Sequence, residues 1–336
     1  MTVVCLPKTV FEFAGRLTRW WPWFPDATVA QVKPPPSEVA ERLDELAELA
    51  EACRSAFLKV STQSHWRPAG GSAAEQYQNN ITDPAVSDHI RAGYDLVSEV
   101  VVTYLEVAAG HFGGLAALFR RREVMFAPLP LVRSIIEHAA HTIWVLGDGK
   151  GAANDAVARA YLEEFVSWEF AKEAAGRMGS KTSTDYKDAV KRWKTIRDRA
   201  IAAFPGTTPT DLGKRTLGGQ SLPGPEEAVR QMFVFINREA GGTVDDRQAR
   251  GIYSFLCSGT HPSTYQAQQL RVPVDHGDHA GSILQMDVEF LEKVLALAVV
   301  AFYNALGYTM AFLGADNAPH DVLTEKVVDV LPTVMK

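Results

Sequence analysis

Cysteine is scarce in this chain of 336 residues, which contains only Cys5, Cys53 and Cys257 and no Cys-x-x-Cys pair. Disulfide-stapled domains and thiolate zinc sites both need more cysteines at closer spacing. The N-terminal sequence also has no basic start followed by an apolar run and a small-residue cleavage site, so no signal peptide is predicted. These features together predict a protein of a reducing compartment, the cytoplasm.

A large excess of charge of one sign is missing as well. The chain has 34 Lys and Arg against 40 Asp and Glu, a net charge of −6, and 46% of its residues are hydrophobic. Such values exclude a disordered chain, a collagen-like repeat and a strongly basic nucleic-acid-binding protein. Basic residues cluster at 120–122 and 187–199, but Asp188 and Asp198 interrupt the second run, which we interpret as a solvated helical face. RNA is therefore a possible partner that the composition does not favour.

The short motifs of many enzymes are absent too. There is no Gly-x-x-x-x-Gly-Lys phosphate loop, no Gly-x-Gly-x-x-Gly after a strand and no Gly-x-Ser-x-Gly elbow. Two segments contain residue types that can bind a metal. The segment from Glu137 reads EHAAH and does not match the zinc-binding motif HExxH. The loop with Asp275, His276, Asp278 and His279 has a composition typical of a solvated turn. No cofactor and no metal ligand are predicted.

The chain is rich in apolar residues at helical spacing, alternately four and three positions apart. Such stripes run from Val39 to Val60 in a helix that starts at Ser37, and from Val97 to Leu118 in a helix that starts at Asp83-Pro84. A third helix begins after Pro128 and Pro130 and ends near Gly147. Further helices are predicted at Asn154–Met178, Thr184–Phe204, Pro225–Ala240 and Thr243–Ser258, the last with Thr243 and Asp246 as a capping box. The stretches 67–82 and 204–225 are rich in proline and glycine and are predicted to be loops, the second exposed and mobile.

The helix predicted from Asp287 to Leu313 has a composition of its own. No charged residue occurs from Val294 to Ala315, a run long enough to cross a membrane and without a second example in the chain. Because the run also contains Asn304 and several alanines, we predict the central helix of a soluble bundle, apolar on all sides because other helices surround it. A subunit interface is the alternative, so a homodimer stays open, and no membrane partner is predicted.

These patterns predict an all-α fold, a multi-helix bundle with a central apolar helix. Residues 1–36 are predicted to be an aromatic-rich extension and residues 37–336 a single helical-bundle domain. The extension contains Trp20, Trp21, Trp23 and Phe24. This cluster is either a plug over one end of the bundle or a docking surface for a partner subunit or a membrane interface.

The third helix carries the most informative polar residues. Arg133, Glu137 and His141 follow one another at four-residue spacing, so they lie along one stripe of a helix whose other faces are apolar. Charges on an enclosed helix must be paired or must line a cavity, since unpaired buried charge is costly. An intrahelical Arg–Glu bridge with an inert His141 is the structural alternative.

A second candidate is the segment from Ser258 to Pro262, where the preceding helix should end. Gly259 is predicted to take the left-handed turn that ends a helix, and Pro262 forbids continuation. His261 is thereby held at a helix terminus beside two hydroxyl groups, where it can act as acid, base or metal ligand. A helix-ending residue without chemistry is the alternative.

Two segments, VRSIIEHAAHTIWVLG and YSFLCSGTHPS, resemble a family of bacterial helical proteins of unknown function that is frequent in actinobacteria. The resemblance covers roughly residues 90–270 and implies an all-helical fold. A more distant likeness is to HEPN domains, helical bundles that include RNA-cleaving toxins and defence nucleases with an Arg followed four to six residues later by His. Arg133 and His138 have this spacing, although in a regular helix they point about 140° apart.

The leading hypothesis is an inter-helix polar pocket that binds a small or anionic ligand and is lined by Arg133, Glu137, His141 and His261. Arg133 would hold the anion, Glu137 would position Arg133, and a histidine would move protons if a reaction occurs. One alternative is a HEPN-like, metal-independent ribonuclease that uses Arg133 with His138 or His261. The other is a structural or partner-binding bundle without a site.

Overall fold

The computed structural model of the protein describes residues 37–81, 93–148, 151–275, 277 and 280–334. Within these residues the chain forms twelve α-helices and two short β-hairpins, which confirms the all-α class. The helices are α1 (Ser37–Ser64), α2 (Ala73–Asn80), α3 (Gly93–Arg121), α4 (Pro128–Leu146), α5 (Ala153–Met178), α6 (Thr184–Ala203), α7 (Pro209–Gly213), α8 (Pro225–Ala240), α9 (Asp246–Ser258), α10 (Thr264–Gln269), α11 (Val288–Leu313) and α12 (Ala318–Val330). The strands are β1 (Thr216–Leu217), β2 (Gln220–Ser221), β3 (Arg271–Asp275) and β4 (Ala280–Leu284), and each consecutive pair is antiparallel.

Four long helices form the centre of the molecule. α1 packs on α3, α3 on α4, α4 on α11, and α11 on α1, so the contacts close into a four-helix bundle. α5 covers α3 and α4, α8 and α9 cover α4 from the other side, and α12 lies on α1. α4 is therefore in contact with α3, α5, α8, α9 and α11, and most of its surface is enclosed.

The apolar stripe of α1 is buried as its spacing predicts. Leu43, Leu46, Ala50, Cys53 and Phe57 are all less than 5% exposed, and the helix begins at Ser37. Burial of such a stripe supplies about 25 cal/mol per Å² of apolar surface, which explains why the repeated three- and four-residue spacing determines where the helix lies.

α11 is buried on all sides, as expected for the central helix. Within the described ranges, two helices, α3 and α11, are long and apolar enough to cross a membrane by length and composition, although the long uncharged run belongs to α11. In α11, 83% of the apolar window is buried within the protein, against 44% in α3. This burial is typical of a core helix of a soluble protein, because a membrane span would turn that surface to lipid.

Both ends of α4 have identifiable causes. Pro128 occupies the first helical position, where its missing N–H costs nothing. Gly147 ends the helix with a φ of 73°, a conformation that favours glycine. Arg159 of α5 donates from Nε to the carbonyl of Val145 at 3.2 Å, which places a cation at the negative end of the α4 dipole.

Several local predictions are wrong. The stretch 204–225 contains α7 and the β1–β2 hairpin, and the stretch 67–82 contains α2, because short capped elements can form inside segments rich in breaking residues. The capping box of α9 uses Asp245 and Gln248 rather than Thr243 and Asp246, so the helix starts later than predicted. The helix start predicted at Asp83-Pro84 and the Trp20–Phe24 cluster lie outside the described residues.

Gly259 is also not left-handed. Its φ is −80°, and a Cβ atom there would come within 2.7 Å of the Leu129 side chain on the first turn of α4. Close packing of the end of α9 on α4, and not backbone conformation, is what requires glycine at this position.

Candidate functional site

One stripe of α4 is only partly buried. Among residues 131–146 the half-buried positions are Leu131, Arg133, Ser134, Glu137, His138, His141 and Trp144, and the rest are buried. Five of the seven are polar; we call these the α4 stripe (Arg133, Ser134, Glu137, His138 and His141). The stripe faces the space between α9 on one side and α3 with α5 on the other, since residues of those helices contact it.

Toward α9, the stripe forms a connected polar group that we call the Arg133 cluster (Arg133, Glu137, Tyr253, Thr260 and His261). Arg133 donates from Nε to Glu137 Oε1 at 2.8 Å, from Nη1 to Thr260 Oγ1 at 2.6 Å and from Nη2 to the Tyr253 hydroxyl at 3.0 Å. The Tyr253 hydroxyl donates in turn to Glu137 Oε1 at 3.0 Å. His261 Nε2 lies 3.4 Å from Arg133 Nη1. The guanidinium is thus fixed by groups from two helices.

The end of α9 positions Thr260 and His261. The backbone N–H groups of Thr260 and His261 both donate to the Cys257 carbonyl oxygen, each at 3.0 Å. Thr260 Oγ1 donates to the same carbonyl at 2.9 Å while it accepts from Arg133. Because Gly259 lets this turn pack on Leu129, the two residues are brought directly beside the start of α4.

The cluster keeps its charges in partial contact with solvent. The Arg133 and Glu137 side chains are 19% and 26% exposed. Burial works against the charge of Arg133, but the hydrogen bond and the negative charge of Glu137 outweigh it and the pKa of the guanidinium is raised. Burial and the neighbouring Glu137 charge raise the pKa of Tyr253, so its hydroxyl is a neutral donor at physiological pH.

Toward α3, a second group joins Ser134 to two histidines. Ser134 Oγ lies 2.8 Å from His111 Nε2 on α3 and 3.3 Å from His138 Nδ1. His138 Nδ1 donates to the Ser134 carbonyl at 2.7 Å, which fixes the proton on that nitrogen. Burial, with the nearby His138, lowers the pKa of His111, and burial lowers the pKa of His138, so both imidazoles are neutral near pH 7.

A third group, the His141 cluster (Tyr104, His141 and Glu163), joins α4 to α3 and α5. His141 Nδ1 donates to Glu163 Oε1 at 2.5 Å, and the Tyr104 hydroxyl donates to Glu163 Oε2 at 2.6 Å. Glu163 is only 7% exposed, so a buried carboxylate is satisfied on both oxygens. Burial disfavours the imidazolium, but the hydrogen bond and charge of Glu163 prevail and the pKa of His141 is raised. The pKa of the Tyr104 hydroxyl is also raised, mainly by burial and to a smaller extent by the negative charge of Glu163.

The structure brings together some of the predicted site residues. Arg133, Glu137 and His261 are in one cluster, while His141 and His138 belong to the two neighbouring groups. Among the described residues, no hydrogen bond joins Arg133 to His138 or to a partner of His138, so the pair suggested by the HEPN-like spacing is not seen there. Neither of two surface cavities, of about 360 and 550 Å³, is lined by these residues; one lies between α1 and α12 and the other around the β1–β2 hairpin.

Sequence reasoning missed the partners that complete these clusters. Tyr253 and Thr260 stand inside the quoted segment YSFLCSGTHPS, and an aromatic hydroxyl one turn before Cys257 was the available signal. Glu163 gave a weaker signal, an acid among alanines and apolar residues on the buried side of α5. Its pairing with His141 depends on how α5 packs on α4, which no local pattern specifies.

Part of the chain is similar to a known family. Residues 106–241 match the model of the DinB superfamily. The DinB-like segment runs from within α3 to the end of α8, so it contains the whole α4 stripe and Glu163 but not the end of α9. Proteins of this superfamily are helical and often bind a metal. Searches of curated proteins and of solved structures give no match.

The donor set does not fit a metal ion of the kind this similarity suggests. A protein zinc site takes at least three side-chain ligands. Across the described ranges, no group of three His, Cys, Asp or Glu side chains is spaced to hold a metal ion. His111 is bound to Ser134, and His141 and Glu163 are bound to each other. Of the loop predicted to be a solvated turn, His276, Asp278 and His279 lie outside the described residues.

Proposed function

We propose that the α4 stripe and the end of α9 form a groove that binds a small ligand through an anionic group at Arg133. The single observation that carries this proposal is the fixed, partly exposed guanidinium. Arginine has five N–H donors, and Arg133 uses three of them on Glu137, Thr260 and Tyr253. Nη1 also lies 3.4 Å from His261 Nε2, so among the described residues one N–H on Nη2 is left, and a carboxylate or phosphate that displaces the His261 ring would be held in bidentate fashion.

The partners of Arg133 prepare it for binding. A free arginine side chain carries about 2 kcal/mol of rotamer entropy, which a fixed guanidinium does not have to lose when a ligand binds. Glu137 balances the charge of Arg133, so the attraction acts at short range through hydrogen bonds rather than across the surface. The ligand is therefore expected to be selected by shape and hydrogen bonding. We place this activity in the cytoplasm, as the cysteine content predicts.

The test uses suberate, an eight-carbon dicarboxylate, and inorganic phosphate as probes. Calorimetry and amide chemical-shift titration of the full chain are expected to show binding by the wild type and at least tenfold weaker binding by Arg133→Gln. Arg133→Lys keeps the positive charge but not the bidentate donor geometry of the guanidinium, and it is expected to bind weakly while folding normally. Arg122→Gln is the matched control, because Arg122 also holds a carboxylate, that of Asp44, while its other partners are the Phe119 and Arg120 carbonyls and not residues of the Arg133 cluster.

Equal binding by wild type and Arg133→Gln would contradict the proposal. Loss of folding in both Arg133 variants, with no probe binding to the wild type, would favour the structural alternative instead. In that case the Arg133 cluster serves only to join α4 to α9.

A further inference from the structure

His141 has one ring nitrogen anchored and the other open. Its Nδ1 donates to Glu163, and its Nε2 has no hydrogen-bond partner in the described part of the chain. The Nε2 atom is also not among the unpartnered side-chain nitrogens and oxygens that are shielded from solvent. The His141 side chain is 17% exposed. Water or a ligand in the groove therefore has access to a nitrogen whose ring cannot rotate away.

The anchor determines which tautomer His141 adopts. Because Glu163 is buried and accepts from both Tyr104 and His141, the neutral imidazole keeps its proton on Nδ1 and its lone pair on Nε2. A carboxylate behind a histidine also stabilises the imidazolium that forms when Nε2 takes a proton. Tyr104 holds the carboxylate in place from α3. These are the features of a positioned proton acceptor.

His111 and His138, which are grouped with Ser134, do not combine a ring nitrogen anchored to a carboxylate with an open one. His138 is anchored to a neutral backbone carbonyl, and His111 Nε2 is already bound to Ser134 Oγ. The charged and titratable groups that act on His141 are Glu163 of α5, and Glu137 and His138 of α4, with Tyr104 of α3 at the opposite side of Glu163. The two carboxylates favour its protonated form and agree with the geometry.

His141 lies on the same stripe as Arg133, eight residues further along α4. At 1.5 Å per residue this places the two Cα atoms about 12 Å apart along the helix axis. An extended molecule held at one end by Arg133 can therefore present a bond near its other end to His141.

We propose that His141 is the general base for hydrolysis of a carboxylic ester whose acyl chain carries an anionic group at its far end. This deepens the proposed function and rests on it. Water attacks the ester carbonyl carbon while His141 Nε2 takes one of its protons. The tetrahedral adduct then collapses, the bond to the leaving oxygen breaks, and the proton passes from His141 to that oxygen. The products are a dicarboxylate and an alcohol, and no further reactant is needed. Glu163 and Tyr104 are positioning residues.

The experiment uses p-nitrophenyl half-esters of succinate, adipate, suberate and sebacate with the full chain. Wild type is expected to show kcat/KM rising with chain length as the carboxylate reaches Arg133. His141→Gln is expected to lose about 100-fold for the long esters, the usual magnitude for a general base. Arg133→Gln is expected to abolish the length preference by raising KM. His65→Gln, an exposed histidine at the end of α1, is the control and is expected to leave all rates unchanged.

Positioning residues are separated from merely structural ones by the pH profile. Glu163→Gln keeps the shape of the side chain but not its charge, and is expected to move the acidic limb of the kcat profile, which follows deprotonation of His141, to lower pH as well as to reduce kcat. Tyr104→Phe is expected to change kcat only severalfold. Should His141→Gln fail to fold, reaction of wild type with diethyl pyrocarbonate serves instead, with carbethoxylation of His141 expected to proceed in parallel with loss of hydrolysis.

Each outcome decides between the two proposals. Suberate binding that depends on Arg133, without hydrolysis that depends on His141, overturns the further inference alone. No binding and no length preference overturn the proposed function, and with it the assigned substrate. Hydrolysis abolished by EDTA and restored by Zn²⁺ overturns the direct role of His141 as base.

Discussion

The Arg133 cluster and the His141 cluster lie on one helix, yet they hold charge in different ways. Arg133 and Glu137 are partly exposed and are joined to the end of α9 by hydroxyl groups. His141 is paired with a carboxylate that is 7% exposed and is contributed by α5. The first arrangement leaves donors available at little cost, because water already satisfies part of each group. The second fixes one ring nitrogen by burying its partner, so its integrity depends on the packing of three helices.

The largest expected effect comes from removing the buried carboxylate. Glu163→Ala leaves the Tyr104 hydroxyl and His141 Nδ1 without their acceptor inside the protein, which we expect to cost about 3 kcal/mol of unfolding free energy. Urea denaturation measures it. Glu164→Ala, the next residue, is the control, since in the described part of the chain Glu164 accepts a hydrogen bond from Trp168 alone, and we expect a clearly smaller loss. Equal losses for the two variants would mean that Glu163 is not the special anchor described above.

A smaller effect is expected at the other cluster. In Gly259→Ala the new methyl group meets Leu129, so the turn that carries Thr260 and His261 must move away from α4. We expect a loss of about 2 kcal/mol, typical of overpacking, with weaker suberate binding at Arg133. Diethyl pyrocarbonate reactivity of His141 is the internal control and is expected to stay the same. A parallel change at His141 would show that the two clusters are mechanically coupled.

The smallest expected effect is a pH dependence that only the His141 cluster should show. The pKa of His141 is raised in the folded protein, so its pairing stabilises the protein fully below the unfolded pKa of about 6.5, and this contribution is lost as pH rises through the folded pKa. The difference in unfolding free energy between wild type and His141→Gln should therefore be larger at pH 6 than at pH 9. The corresponding difference for Arg133→Gln should not follow this trend, because arginine does not titrate in the range. Denaturation at both pH values tests the contrast.

The sequence was most informative where a pattern repeats within one element. The apolar spacing of α1, the prolines before α4 and the uncharged run of α11 each depend on residues close in the chain, and the structure confirms these helices. The spacing predicts too early a start for α9 because Thr243 and Asp245 are both competent caps, and the hydrogen bond from the Asp245 backbone N–H to Gln248 Oε1 is what distinguishes them.

The site was less predictable, because its contacts cross between elements. Arg133, Glu137 and His261 were identified as residues whose charge or position required a partner, and they are in contact. Their partners Tyr253 and Glu163 were not identified, since an acid or a hydroxyl on an amphipathic helix looks the same whether it faces water or a neighbouring helix. For Gly259 the sequence predicts correctly that glycine is needed, but the reason is the lack of space for a side chain beside Leu129 and not a left-handed backbone.

The end of α4 carries a constraint that should be visible in evolution. A side chain at position 147 would come within 2.5 Å of the Arg159 guanidinium, which in turn donates to the Val145 carbonyl near the end of α4 and to Gln220 of the β1–β2 hairpin. Position 147 is thus limited to glycine twice, by this contact and by its φ of 73°. In an alignment of related sequences, we therefore expect glycine to persist at position 147 even where the arginine at position 159 is lost.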